Sequence, residues 1–396
     1  MRILYLADVR FPIERANGIQ TMETCHALAA RGHIVELLVR PDTARPARDP
    51  FVFYDLPRND RLVIRRVRVA GREPMRRVTY LVRAIPAGAA ARTRADLVMT
   101  RDLGVASMLL RIPRALRAPL VYESHGYAPV FAETRPELLA GAPPASAAKL
   151  RRLAARESRV WRLAEGYATI SNGLASDLAA RLGSRPDVIV IPDGARLDQN
   201  RPFPPLPEQA SRVVVYVGHL YRARGVDVLL EAIARLPDTR AVIAGGHPAE
   251  SDLDRLRLLA GQLGVTDRVT FTGMIPRRDV PPLLAAADVL VMPYFSTPVI
   301  ERYSSPLKLF EYMAAGRPIV ASNLASVREV LRDGENARLV APADAGALSA
   351  GITAVLNDRG FAERIARRAF EDVAAYSWDQ RAARLEALFD TVTGRT

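Results

Sequence analysis

Short apolar runs recur along the chain, each closed by polar residues or glycine and each followed by a stretch with helical spacing. Residues 2–7 form the first run, and a loop from Asp8 to Gln20 follows it. Gly18 precedes a helical pattern over 19–31 that Gly32 closes, and 34–39 is the next strand. Further strand-like runs lie at 61–69, 95–100, 120–126, 168–173 and 188–194, with a helix at 103–110. Residues 129–164 read as helix and irregular chain by turns, and Leu150, Leu153, Ala154 and Trp161 make an apolar stripe beside arginines. Such a stripe suits a membrane surface or the body of its own domain.

The pattern stops at 201–207, where four of seven residues are proline. Neither helix nor sheet tolerates that density, because proline has no N–H to give. It then restarts, with strands at 212–218, 241–246, 269–273, 289–292 and 319–321 and helices at 225–233, 252–263 and 280–287. Strands that alternate with helices make parallel sheets. Two such series predict two Rossmann-like α/β domains with a cleft between them. The expected division is an N-terminal domain over 1–200, a linker over 201–211, a C-terminal domain over 212–376, and a last helix over 377–396 packing back on the N-terminal domain.

A length of 396 residues agrees with two domains. Cys25 is the only cysteine, which excludes an internal disulfide and a cysteine metal cluster. The histidines are scattered without ligand spacing, so no metal is expected. No apolar run reaches membrane-spanning length, and an acid at Asp8 comes too early for a signal peptide, so the expected location is the cytoplasm. The net charge is +13, and it is uneven: residues 1–200 hold 32 basic and 20 acidic side chains, the remainder 24 and 23. The excess fits peripheral contact with the anionic inner face of the cell membrane or an acidic acceptor. It equally fits an arginine-rich composition, since Lys149 and Lys308 are the only lysines. No motif interleaves aromatics with the basic runs, so nucleic acid is not an expected partner.

Residues 303–316 carry the most specific chemistry. Ser305 followed by Pro306 reads as a helix start, with serine as the cap and proline at the first helical position. The next N–H groups, near Leu307 and Lys308, lie at the positive pole of that helix, where a phosphate would sit. Lys308 adds a mobile charge. Glu311 is close to the same face and can accept from two sugar hydroxyls. Together they predict a nucleotide, phosphates at the helix tip and ribose on Glu311. An ordinary solvated helix is the competing reading.

Four segments in order carry a wider resemblance: 216–230, 269–276, 286–293, and 303–316 running on through 321. On these the chain resembles glycosyltransferase family 4, of the GT-B fold. The resemblance implies a retaining enzyme that moves a hexosyl or N-acetylhexosaminyl group from a nucleoside diphosphate sugar, usually without a metal or other cofactor. A glycan, lipid-linked or small-molecule acceptor is implied. By position, Glu311 would bind the ribose, while Tyr303, Ser304, Ser305, Pro306, Leu307 and Lys308 would surround the diphosphate or sugar. Gly273, Met274 and Ile275 would meet the base. Gly18 would approach the diphosphate, and His125, at the end of the run 120–126, would bind the donor sugar.

The chain departs from the family at three places. His219 stands where an arginine is usual, with Arg222 nearby to assist, and Arg224 stands for a lysine. Arginine can clamp two phosphate oxygens. Tyr303 stands where many members have a second glutamate, and Glu301 is the nearest substitute. Uridine diphosphate sugars are the favoured donors and guanosine diphosphate mannose the rival. A nucleotide-sugar epimerase of the same architecture and a non-catalytic binding subunit are the other functions the sequence allows.

Overall fold

The computed structural model describes residues 1–69, 75–138, 142–198, 202–207, 212–247 and 251–395; of the proline-rich stretch, 201 and 208–211 lie outside the described residues. The chain divides into two compact units. The first comprises 1–132, 145–193 and 378–396, and the second comprises 133–144 and 194–377.

The first unit is built on strands β1 (Arg2–Arg10), β2 (Ile34–Arg40), β3 (Leu62–Arg66), β4 (Leu97–Thr100), β5 (Leu120–Ser124), β6 (Gly166–Thr169) and β7 (Val188–Val190). They pair in parallel in the order β3-β2-β1-β4-β5-β6-β7. β4 and β5 are buried at every position, polar Thr100, Glu123 and Ser124 included, as in a parallel sheet covered on both faces. Helix starts are set by side chains that accept from the first-turn N–H groups. Asp102 accepts from Val105 at 2.9 Å and Ser171 from Leu174 at 3.2 Å.

The helix Trp378–Thr393 belongs to this first unit. Its Trp378, Leu385, Leu388 and Phe389 are buried, and it packs on the helix Ala16–Ala30 and on β6. Arg31 pairs with Asp379 at 2.9 Å and with Glu386 at 2.7 Å, fixing the contact from outside. Of the stripe expected at Leu150, Leu153, Ala154 and Trp161, the first three are half-buried. Trp161 is buried and its Nε1 donates to the Gly183 carbonyl at 3.0 Å.

The second unit carries β8 (Val213–Val217), β9 (Arg240–Ala244), β10 (Val269–Gly273), β11 (Val289–Met292), β12 (Ile319–Ser322) and β13 (Arg338–Val340). Their order is β10-β9-β8-β11-β12-β13, again parallel. The described part of the proline-rich stretch lies on this unit. The Arg359 guanidinium donates to the Pro207 carbonyl at 3.0 Å, and Phe203 meets Phe370 edge to face. In both sheets the order reverses between neighbouring strands, at β1 and β4 and at β8 and β11. In such sheets ligands bind outside the carboxyl ends of the strands at the reversal.

Glu157, on the helix Ala147–Leu163, is fully buried, and its Oε1 accepts from the Ala128 N–H at 2.9 Å. Burial pushes its carboxyl up to about 7. Folded Glu157 therefore holds a proton that the unfolded chain releases near pH 4.5. The stability this gives is complete below the unfolded value and lost as pH rises through the folded one. Glu157→Gln keeps the acceptor and removes the charge. Its stability should match that of the parent near pH 4.5 and exceed it by on the order of 2 kcal/mol above pH 7. Urea unfolding at pH 5 and pH 8 reads the difference, and an equal offset at both values would count against the buried charge.

Candidate functional site

Strand β8 ends at Val217, and the chain turns away through Gly218 at φ +145°. A Cβ on Gly218 would lie 2.4 Å from the Lys308 Nζ, so the absence of a side chain there is what admits the lysine. Gly245, just past β9, closes on the same point. A Cβ on it would lie 1.8 Å from the Gly218 carbonyl oxygen. Tyr312 fixes the strand end, since the Val217 N–H donates to its hydroxyl at 2.9 Å.

The helix carrying Lys308 spans Leu307–Ala314. This corrects the expected start by one residue. Pro306 is extended, with ψ 127°, and occupies the cap position expected for Ser305. The shift lies in Pro306 itself: its φ of −76° suits a helix but its ψ of 127° does not, so the helical run begins at Leu307.

Lys308 is not mobile, which is the second correction. It is 9% exposed, with its Nζ 3.8 Å from the centre of the Tyr216 ring and 5.2 Å from that of Tyr294. Among the described residues no hydrogen-bond acceptor reaches that ammonium. Burial, and then the Arg224 charge, pull its pKa well below the ordinary lysine value. Arg224 is stacked on the other aromatic, 4.6 Å over Tyr294. The faces of the two rings stabilise cations, but each such contact is worth about 0.5–2 kcal/mol and does not replace water or an anion.

Glu311 lies one turn further along the helix, and the Arg277 guanidinium donates to its Oε1. Arg277 begins the short turn after β10. The preceding residues are Gly273, in the left-handed region at φ +68°, then Met274, 39% exposed, and Ile275, half-buried. His219 stacks on Tyr221, with centres 5.0 Å apart and planes 7° from parallel. Arg222 is exposed on the same turn as Arg224. Ser304 and Ser305 are half-buried beside the helix start, but Tyr303 is buried within the helix Pro298–Tyr303. Glu301 is occupied elsewhere, accepting from the Ala325 N–H at 2.8 Å and from the Ser296 hydroxyl at 3.0 Å.

In the first unit, Gly18 lies inside the helix Ala16–Ala30 rather than ahead of it. A Cβ there would be 2.4 Å from Ile13 and 2.5 Å from the Tyr54 hydroxyl, so close packing by itself requires a glycine. Its N–H already donates to the Arg15 carbonyl at 2.9 Å and to Asn17 Oδ1 at 3.0 Å.

His125 follows the end of β5, and its Nε2 is within hydrogen-bonding distance of the Glu123 carboxylate. Glu123 is fully buried. The same oxygen accepts from Gln20 at 2.6 Å and meets the Arg381 Nη2 at 2.7 Å. Burial alone would raise the Glu123 carboxyl; Arg381 and His125 together reverse this and hold it below the usual carboxylate range. Burial and the nearby Arg101 push His125 down to about 4, so its ring is neutral at physiological pH.

Sequence reasoning passed over Arg277, Glu123, Gln20 and Arg381. Two had a signal. Strand side chains alternate, so Glu123 and His125, two residues apart, share a face, and Arg277 directly follows the quoted segment 269–276. Arg381 had none, because its partner is distant in the chain.

Among the described residues, no group of three or more His, Cys, Asp or Glu side chains is arranged to hold a metal, and no helix is long and apolar enough to cross a membrane.

Comparison with known proteins accounts for both units. Residues 198–372 match the family described as glycosyl transferases group 1, and residues 18–194 match the glycosyl transferase 4-like domain. A phosphatidyl-myo-inositol mannosyltransferase of Mycobacterium leprae is 32% identical over 229 residues, 55% of this chain and 58% of that protein. A D-inositol 3-phosphate glycosyltransferase of Mycobacterium marinum is 32% identical over 188 residues, 46% of this chain and 39% of the relative. The matches thus span well under two thirds of those relatives' own length. Among solved structures, a sucrose-phosphate synthase from Thermosynechococcus elongatus superposes with a TM-score of 0.79 at 21% identity, covering 100% of both chains. Anabaena HepE in complex with UDP-glucose gives 0.75 at 18%, covering 99% of this chain and 100% of that one. These neighbours share the GT-B fold. With one family match on each unit, the chain belongs to glycosyltransferase family 4.

Proposed function

We propose that the chain transfers a hexosyl or N-acetylhexosaminyl group from a nucleoside diphosphate sugar to an acceptor, with retention at the anomeric carbon and without a metal. One observation carries the reading: the Lys308 ammonium is buried beside Arg224 with no acceptor of its own among the described residues. A buried cation of this kind requires an anion, and a diphosphate at the start of the helix Leu307–Ala314 supplies one. Binding would also raise the Lys308 pKa back toward its ordinary value, since a nearby anion favours the protonated form.

In this reading Lys308, Arg224 and the helix end offset the charge that grows on the departing diphosphate as the glycosidic bond breaks. Glu311 takes the ribose hydroxyls, and Arg277 holds its carboxylate in place through one oxygen. The backbone from Gly273 to Ile275 meets the base, Ser304 to Leu307 border the diphosphate, and His125 meets the transferred sugar. Retention follows from attack on the face the diphosphate leaves, with a diphosphate oxygen taking the acceptor's proton. Uridine diphosphate sugars remain the favoured donors. The mannosyltransferase name of one relative keeps guanosine diphosphate mannose as the rival, and the names of both relatives put inositol-bearing acceptors among those to test.

A peripheral site at the inner face of the cell membrane fits the first unit. The helix Met75–Ala90 contains no acidic residue, and its Met75, Val78 and Val82 are 56%, 52% and 66% exposed beside Arg76 and Arg83. Apolar side chains flanked by arginines suit an anionic bilayer.

Replacing Lys308, Arg224 or Glu311 by Ala should each lower turnover at least about a hundredfold, if each contributes roughly 2.7 kcal/mol to the transition state. Near-normal rates in a donor-consumption assay would overturn the assignment. A thermal-shift panel of nucleoside diphosphates and their sugars should single out one base, since a ligand at about a hundred times its Kd adds roughly 2.7 kcal/mol; no shift with any of them would remove the donor reading. Vesicles containing anionic lipid should sediment the chain at low salt and release it at high salt, and Val78→Glu should weaken capture; equal capture by neutral vesicles would count against the basic helix.

A further inference from the structure

His125 is held by a chain of contacts whose far end is the C-terminal helix, and the chemistry of each link fixes the next. The Arg101 Nη1 donates to Gln20 Oε1 at 2.6 Å. Arginine has no acceptor, so the Gln20 oxygen must face it, and the Gln20 amide nitrogen must face away. That nitrogen donates to Glu123 Oε1 at 2.6 Å. Arg381, from the helix Trp378–Thr393, sets its Nη2 2.7 Å from the same oxygen, with Asp193 3.9 Å from its Nε. Gln20, Glu123 and Arg381 are all buried. Glu123 is thereby anchored from two other elements, and it is ionised.

An ionised carboxylate only accepts hydrogen bonds. The nitrogen of His125 that faces it, Nε2, must therefore carry the hydrogen. A neutral imidazole has one N–H, so Nδ1 is left with a lone pair.

We infer that Arg381, with Gln20 and Arg101, is a positioning residue that holds Glu123 so that His125 is locked as its Nε2–H tautomer, offering Nδ1 as an acceptor to a hydroxyl of the transferred sugar. The inference rests on the reading that His125 meets that sugar. Nδ1 then selects a hydrogen-bond donor and cannot serve as an acid, which limits His125 to binding and orienting. Cys25 and Tyr5, buried close to Glu123, are kept un-ionised by burial and by its negative charge, so neither competes as an anion.

The full chain, labelled with 15N at histidine, tests the lock directly. Long-range 1H–15N spectra should show His125 protonated at Nε2 and bare at Nδ1 across pH 6–8. Glu123→Gln and Arg381→Gln should each give a mixture of the two tautomers. A parent ring carrying its hydrogen on Nδ1, or a ring unchanged in both variants, would overturn the inference. Activity gives a second readout. Arg381→Gln should lower kcat/KM about tenfold by loosening a charge-assisted contact, and should have no further effect in a His125→Ala background. An equal loss in both backgrounds would mean that Arg381 is merely structural. Where Arg381→Gln does not fold, Gln20→Met replaces it in both measurements. If His125→Ala alone leaves turnover unchanged, the sugar contact falls while the spectra still decide the lock.

Discussion

The second unit is organised by a positive charge that the protein does not neutralise. Moving an ammonium out of water is costly unless an anion or a full set of acceptors meets it. The Lys308 Nζ has two aromatic faces and a second cation, Arg224, nearby. Several features of the sequence around it follow from that one group. Gly218 must be a glycine because its Cβ would occupy the ammonium's place. Tyr216 must stand one residue before the end of β8 so that its ring lies beneath the Nζ, and its hydroxyl donates to the His219 carbonyl. Tyr294, just past β11, has Arg224 4.6 Å and Lys308 5.2 Å from its ring centre, so one ring serves both cations. Unliganded, such a site stores electrostatic stress, and an anion relieves it.

The first unit solves the opposite problem with its own residues. Glu123 would be as costly to bury alone as Lys308, yet it is met by Arg381, by Gln20 and by His125. All three meet one oxygen, Oε1, while Oε2 has no hydrogen-bond partner among the described residues. The two units thus differ: one holds a buried ammonium that no acceptor reaches among the described residues, the other a carboxylate met on one oxygen by an arginine, a glutamine and a neutral histidine. A charged donor suits the former, and an uncharged hydroxyl suits the latter. Glu311 is intermediate, since one oxygen is held by Arg277 and the other has capacity for a sugar hydroxyl.

Much of this was legible in the chain. The apolar runs gave away the strands because parallel sheets covered on both sides need buried side chains on both faces, as at 97–100 and 289–292. The helix with Lys308 and Glu311 was visible from its period. Its first residue was not, because it depends on the ψ of Pro306, which the residue type leaves open and which is extended at 127°. Lys308 read as mobile because lysine usually lies in solvent; what buries it comes from Tyr216 and Gly218, on another strand. Gly18 read as the turn ahead of its helix, but it lies inside the helix Ala16–Ala30, where Ile13 and Tyr54 fill the space beside it. The helices Ala345–Asn357 and Arg359–Asp372 and the strand Arg338–Val340 escaped notice; the strand has only three residues, too few for a period.

The order of the chain adds a constraint on how the first unit is completed. Its sheet is made from residues before 193, but the cation that balances Glu123 arrives on the helix Trp378–Thr393, after the whole of the second unit. Removing one partner of a buried ion pair typically costs about 3–5 kcal/mol, a large part of the net stability of a domain. The apolar face of that helix, with Trp378, Leu385, Leu388 and Phe389, is missing from the core until the same moment. Gly166 is without a side chain because Val392 and Leu388 press against that point of β6. The last helix is therefore no appendage: it closes the core of the first unit and places the charge on which the geometry of His125 depends.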